Sequence, residues 1–234
     1  MGKGTIFFSF SVAFSAKIAN FEAVKAYPTM LKQLPTYLSR ALSMALHPLV
    51  MPLYLVALLF TQTSFALFPL KVKWYLGGAV VLYGTLIPIL VIGVLRYFGK
   101  LSNLHIHNRR ERTLLLGVGM VAYLICAFVV AKVPQADFLR KFVVAAACCE
   151  LLCLVVSSAW KISLFMTSIG AAVALFVVMN TLGMTPLFPW LIGCVLAAGL
   201  LASARLYLGY HNPWQVLAGF LAGFVIMLIA LLFL

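Results

Sequence analysis

Arg205 stands six positions before His211, and Gln215 four positions after it, in the run Ser203-Ala204-Arg205-Leu206-Tyr207-Leu208-Gly209-Tyr210-His211-Asn212-Pro213-Trp214-Gln215. A guanidinium offers a planar fork of donors suited to phosphate oxygens, and an imidazole can attack phosphorus or move a proton. An amide four residues beyond a histidine lies on the same helical face and can orient the ring. Arg205 is also the only formally charged side chain between Ile162 and Leu234. A lone cation in so apolar a stretch lines a cavity with a partner. Two further segments carry matching chemistry. Lys161 and Ser163 directly precede one apolar run, and Arg109, Arg110 and Arg112 precede another, with His105 and His107 just upstream.

The elements that must position these residues are membrane helices. The chain has 234 residues, 65% of them apolar and 9% charged. Soluble domains run near 45–50% apolar and about 25% charged, so this composition excludes a soluble fold, disorder, a coiled coil and a disulfide-rich scaffold. Its charge is lopsided, with 17 Lys and Arg against 4 Asp and Glu, a net of +13. Crossing about 30 Å of hydrocarbon takes roughly 20 apolar residues per helix. Seven such runs stand out: 44–66, 74–95, 114–131, 142–160, 164–183, 187–204 and 213–233. The expected fold is therefore all-α, a polytopic membrane bundle of six to seven transmembrane helices. Residues 1–42 carry Lys3, Lys17, Lys25, Lys32 and Arg40 around a 13-residue apolar stretch at 4–16. They read as a basic amphipathic arm on the bilayer surface, and residues 43–234 read as the transmembrane domain. The five cysteines fall within the spans without metal-ligand spacing, as small apolar residues.

Parity then brings the chemistry together. With seven spans, the connections 104–113, 161–163 and 203–212 emerge on one side of the membrane. The helices that follow them all present N-termini there, with unpaired N–H groups and the positive end of the dipole. Asn212-Pro213 reads as an N-cap with proline at the first helical position, and Ser163 is placed to cap the helix before it. This is the pattern of a phosphate cradle, as against a set of headgroup anchors.

These residues resemble the motifs of the type 2 phosphatidic acid phosphatase superfamily, membrane lipid phosphatases marked by KxxxxxxRP, SGH and SRxxxxxHxxxD. The third motif matches as Arg205, five residues, His211, three residues, Gln215, with Ala204 inserted after Ser203. The second falls at Ser163-Leu164-Phe165, and the first at His105 through Arg112, with Thr113 at the proline position. The likeness covers about residues 45–230. It also takes in the segment His47-Pro48-Leu49-Val50-Met51-Pro52-Leu53-Tyr54, which is similar to the first span of small bacterial members. The resemblance implies that His211 is the nucleophile, forming a phosphohistidine. It makes Arg112, Ser163 and Arg205 phosphate ligands and Gln215 the position that orients the imidazole; Lys161, just before the second motif, adds a point charge for the same phosphate.

Two positions depart from the pattern. Phe165 stands where the family has a proton-donating histidine, a loss of roughly 10²–10⁴ in rate. Gln215 stands where the family has aspartate; in serine-protease triads the comparable change costs about 10⁴. The expectation is a phosphate-binding protein impaired in catalysis, a lipid-phosphate binder or a subunit of a membrane assembly. The alternative is an active phosphatase on a lipid phosphate or polyprenyl diphosphate, whose phosphate leaving group needs an acid less, or in which His105 or His107 supplies the proton. A third reading is a transporter using Glu150 and His47, but no inverted repeat accompanies it. Glu150, midway along 142–160, is expected to pair with a cation such as Arg205 or to stay neutral. His47 reads as an interfacial cap. The expected partners are a lipid phosphate or polyprenyl diphosphate, membrane lipids and a membrane protein; no cofactor, metal or nucleic acid is expected. The resemblance implies a bacterial inner membrane and a periplasm-facing site, whereas the cation count, 12 on the motif side with the N-terminal arm against 5 on the other, points that side to the cytoplasm.

Overall fold

A computed structural model describes residues 29–99, 109–183 and 187–234 of the chain. Among the described residues there are eight α-helices and no strand: α1 Thr29–Ala45, α2 Met51–Gln62, α3 Leu70–Tyr97, α4 Arg109–Val130, α5 Asp137–Ala159, α6 Leu164–Thr181, α7 Phe188–Tyr207 and α8 Pro213–Phe233. Six of them, α3 through α8, are long and apolar enough to cross a membrane. The chain is an integral membrane protein with an all-α bundle.

The first expected span is the exception. Across 44–66 the chain ends α1, turns through residues 46–50, and forms α2 with only 12 residues before a 3-10 turn at Ser64–Leu67. At about 1.5 Å per residue α2 is too short for the hydrocarbon core by itself. The physical reason is local. Pro48 cannot supply a backbone N–H, and Thr63 stops α2 by bonding its hydroxyl to Leu59 O at 2.7 Å and accepting from Phe65 N at 3.2 Å. The sidedness of the later helices is unaffected, because parity among α3 to α8 does not depend on α2.

Upstream, α1 falls inside the expected arm and overruns its limit to Ala45. It is amphipathic and packs on α7, where Thr36 Oγ1 lies 3.5 Å from Tyr207 Oη. Leu34, Tyr37 and Leu38, at helical spacing, remain exposed. The apolar stretch at 4–16 lies outside the described residues.

The core of the bundle is the pair α6 and α8, which run side by side with both N-termini at the same end. Their approach is set by glycine. A Cβ on Gly223 would collide with Thr167 O, one on Gly170 with Phe220 O, and one on Gly219 would sit 2.6 Å from Ser163 O. Small residues let backbones meet where lipid offers no hydrophobic drive to association. Two other helical glycines are not used this way: a Cβ on Gly78 or Gly199 would meet nothing within 4 Å, so both lie on open helix surface. Helix α3 carries a π-turn at Leu82–Leu86, from which Thr85 Oγ1 donates to Leu49 O at 2.8 Å. That bond ties the turn before α2 to the bundle.

Candidate functional site

The spacing of Arg205 and His211 has a structural cause. Arg205 lies in the last turn of α7, which closes with Tyr210 N donating to Arg205 O (3.3 Å) and Gly209 N donating to Leu206 O (3.0 Å). This is a Schellman closure, and Gly209 takes the left-handed conformation it requires, with φ of 66°. The chain then reverses through Tyr210 and His211 to Asn212, the N-cap of α8. Five residues is the length of one helix end and one helix start. The reversal folds Tyr210 back, so that its ring lies 4.6 Å from the Arg205 guanidinium carbon.

At the start of α8 a reciprocal capping box forms: Gln215 N donates to Asn212 Oδ1 (2.9 Å), and Asn212 N donates to Gln215 Oε1 (3.2 Å). His211 Nδ1 lies 3.2 Å from the same Gln215 oxygen. His211 is thus not on the helix, as the spacing of four suggests; it precedes the cap, and the folded-back Gln215 side chain reaches it. An amide oxygen only accepts, so Nδ1 carries the proton and the lone pair resides on Nε2. Burial, then the charge of Arg205, lowers the His211 pKa to about 4; Lys161 and Arg112 act the same way, and the Gln215 bond opposes them. His211 is therefore a neutral imidazole at physiological pH, with its lone pair on Nε2.

Two bonds draw the other segments to this point. Arg112, in the first turn of α4, donates through Nη2 to Ile162 O. The next residue, Ser163, donates its N–H to Gln215 O at 3.4 Å. The starts of α4, α6 and α8 are joined directly, as parity requires. Lys161 lies exposed beside them, its pKa lowered first by partial burial and then by Arg112 and Arg205. Ser163 is the N-cap of α6 by position, but it makes no side-chain cap bond; it is fully buried and its Oγ has no partner among the described residues.

Arg205 is 8% exposed, and among the described residues no carboxylate is bonded to it. Its guanidinium carbon lies 4.1 Å from the Phe165 ring centroid, so it is held between Phe165 and Tyr210. Each such contact is worth about 0.5–2 kcal/mol. Two aromatic faces fix the arginine without neutralising it, and among the described residues the buried Nε atoms of Arg205 and Arg112 have no hydrogen-bond partner. Phe165 is the floor under this cation.

The structure brings together Arg112, Lys161, Ser163, Arg205, His211 and Gln215. Arg109 begins α4 at the same end, while His105 and His107 lie outside the described residues. Glu150 does not join them. It sits nine residues before the end of α5, roughly 14 Å down the helix. There it lines a cavity of about 60 Å³ with Tyr123, Thr167 and Ser168, against the bare Cα of Gly119. Among the described residues its Oε2 has no partner and no ion pair joins it to Arg205, so that expected pairing is not made. The aromatic rings already hold that arginine. His47 is the residue that spacing could not find. It packs edge-on against Phe165 with ring centroids 5.3 Å apart, on the ring that also carries Arg205. Nothing in its local sequence signals this, because the contact joins the turn before α2 to the start of α6. Among the described residues no cluster of ligands fits a metal ion.

No family model matches the chain, and no curated protein or solved structure matches it.

Proposed function

We propose that this membrane protein binds the phosphate group of a lipid phosphate or polyprenyl diphosphate and is impaired as a hydrolase. The observation that carries this reading is the meeting of three cations and a neutral histidine, from separate segments, where three transmembrane helices begin. Among the described residues no carboxylate is shown bonded to Arg112, Lys161 or Arg205, and the charges of Arg112 and Arg205 both act on Lys161. Helix N-termini add N–H groups of the same sign. A membrane-embedded cradle of this kind suits an anion delivered by a lipid. Phe165 and Gln215 limit proton transfer, and the first supplies no acid while the second supplies no negative charge for an imidazolium.

A second reading, an active phosphatase working through His211, has one observation in its favour: Gln215 holds the ring at Nδ1 so that the lone pair falls on Nε2. In that reaction Nε2 attacks phosphorus, the bond to the leaving oxygen breaks, and Arg112 and Arg205 take up the charge of the phosphoryl oxygens. A diphosphate substrate, whose phosphate leaves as a stable anion, suits a site without an acid. We place the chain in a bacterial inner membrane with the site outward on the family resemblance alone.

The test is binding and turnover by purified protein in phosphatidylcholine nanodiscs. Phosphatidic acid should bind, and Arg205→Ala should weaken that binding at least tenfold, with Arg205→Lys intermediate because a lysine lacks the planar fork. Unchanged binding in Arg205→Ala overturns the cradle. Phosphate release from phosphatidic acid, phosphatidylglycerol phosphate or undecaprenyl diphosphate that disappears in His211→Ala replaces the impaired reading with the active one.

A further inference from the structure

We propose that His47 is a ligand-binding residue of the same site, presenting a neutral Nε2–H to a phosphate oxygen beside Arg205. The inference rests on the phosphate-binding reading above and adds to it a donor from outside the three helix-starting segments.

The first support is position. Phe165 is shared: the Arg205 guanidinium carbon lies 4.1 Å from its ring centroid, and His47 meets the ring edge-on at 5.3 Å. The charge of Arg205 also acts directly on the His47 ring, so the proposal places an anion held by Arg205 within reach of His47.

The second support is the assignment of the ring nitrogens. Leu49 N donates to His47 Nδ1 at 3.2 Å, which makes Nδ1 the acceptor. In a neutral imidazole the proton then resides on Nε2, and among the described residues that nitrogen has no protein partner. Protonating the ring fully would break the Leu49 bond. Burial, and after it the charge of Arg205, lowers the His47 pKa from its usual value, in the same direction. His47 is thus suited to donating a hydrogen bond and unsuited to releasing a proton to a leaving group.

The third support is rigidity. Val50 N and Met51 N both donate to His47 O, at 2.8 and 3.1 Å, and Thr85 clamps the turn through Leu49 O. The turn before α2 uses only the His47 carbonyl and Nδ1, and leaves Nε2–H unused among the described residues. The two histidines are complementary: His211 offers a lone pair at Nε2, and His47 a proton at Nε2.

The test uses the full chain in nanodiscs, with phosphatidic acid as the probe and pyrophosphate as its soluble counterpart. His47→Leu should weaken phosphatidic acid binding roughly tenfold, the scale of one hydrogen bond to a charged acceptor. His47→Gln, which keeps a side-chain N–H, should stay within about threefold of wild type. Histidine ¹⁵N spectra give a reading independent of any variant's folding: on adding pyrophosphate, the Nε2 resonance of His47 should shift while Nδ1 stays unprotonated. Binding lost in Arg205→Ala but unchanged in His47→Leu overturns the assignment of His47 alone. Protonation of both His47 nitrogens on binding also overturns it, in favour of an acid. Wild-type protein that binds neither probe overturns the phosphate reading and this inference with it.

Discussion

His211 Nδ1 lies 3.2 Å from Gln215 Oε1, and the same oxygen accepts from Asn212 N at 3.2 Å. Two donors converging on one side-chain atom identify that atom as the amide oxygen, and so identify the tautomer of the histidine. Gln215 does the steering of an orienting carboxylate without its charge. The imidazole is held in a fixed orientation with its lone pair on Nε2, yet an imidazolium formed there would stand among Arg205, Lys161 and Arg112, and Gln215 offers it no negative charge.

The titration of His211 follows from this. Its pKa, lowered to about 4 by burial and then by Arg205, lies below the unfolded value near 6.5. The unfolded chain therefore binds the proton first, and stability falls as pH drops from 6.5 through about 4. Histidine ¹⁵N spectra across that window should record a neutral Nδ1–H ring down to about pH 4. A midpoint near 6.5 would disprove the burial of the ring among cations. Adding pyrophosphate should move the midpoint upward, because an anion opposes the neighbouring cations.

Gly209→Ala tests the reversal between Arg205 and His211. The left-handed φ of 66° costs an L-residue about 1–2 kcal/mol, and asparagine less than alanine. Thermal unfolding in detergent should rank wild type above Gly209→Asn and that above Gly209→Ala. Anion binding should fall with stability, since Tyr210 and His211 are placed by the same turn.

The α6–α8 contact predicts a contrast between glycines. Gly223→Ala forces a Cβ onto Thr167 O and should destabilise by about 1–3 kcal/mol. Gly199→Ala, with nothing within 4 Å, should be neutral or gain up to about 1 kcal/mol of helix propensity. Equal unfolding temperatures for the two variants would mean that α6 and α8 do not touch as described.

Glu150→Gln should leave phosphatidic acid binding within about twofold of wild type, because Glu150 makes no bond to the cation cluster and lies roughly 14 Å along α5 from it. A tenfold change would show that the cavity and the cradle are coupled.

Phe165→His combined with Gln215→Asp restores both proton-handling groups to the positions the family resemblance assigns. Phosphate release from phosphatidic acid should rise by at least about 10² over wild type. The variant gives up the ring beneath Arg205, so its unfolding temperature must be measured alongside. A folded double variant with no gain would sink the carried-over roles of both positions.

The residues themselves determine a great deal about this protein. Composition requires a helical membrane bundle, because so few polar side chains cannot solvate a surface in water. Asn212-Pro213 marks the start of α8, since proline is tolerated where the N–H is unpaired anyway, and alternation of spans assigns Arg112, Lys161 and Arg205 to one end. What the pattern leaves open is decided by contacts between distant segments. Hydropathy reads 44–66 as one apolar run, but the hydroxyl of Thr63 and the turn at Pro48 reduce it to the short α2. Phe165 reads as an absent histidine; only packing reveals it as the ring that holds Arg205. His47 reads as a cap, and its place on that ring depends on α2, α3 and α6 meeting. Periodicity and spacing report what neighbours along a chain can do. The direction of a ring nitrogen is set by the atoms around it, and those come together only when the helices pack.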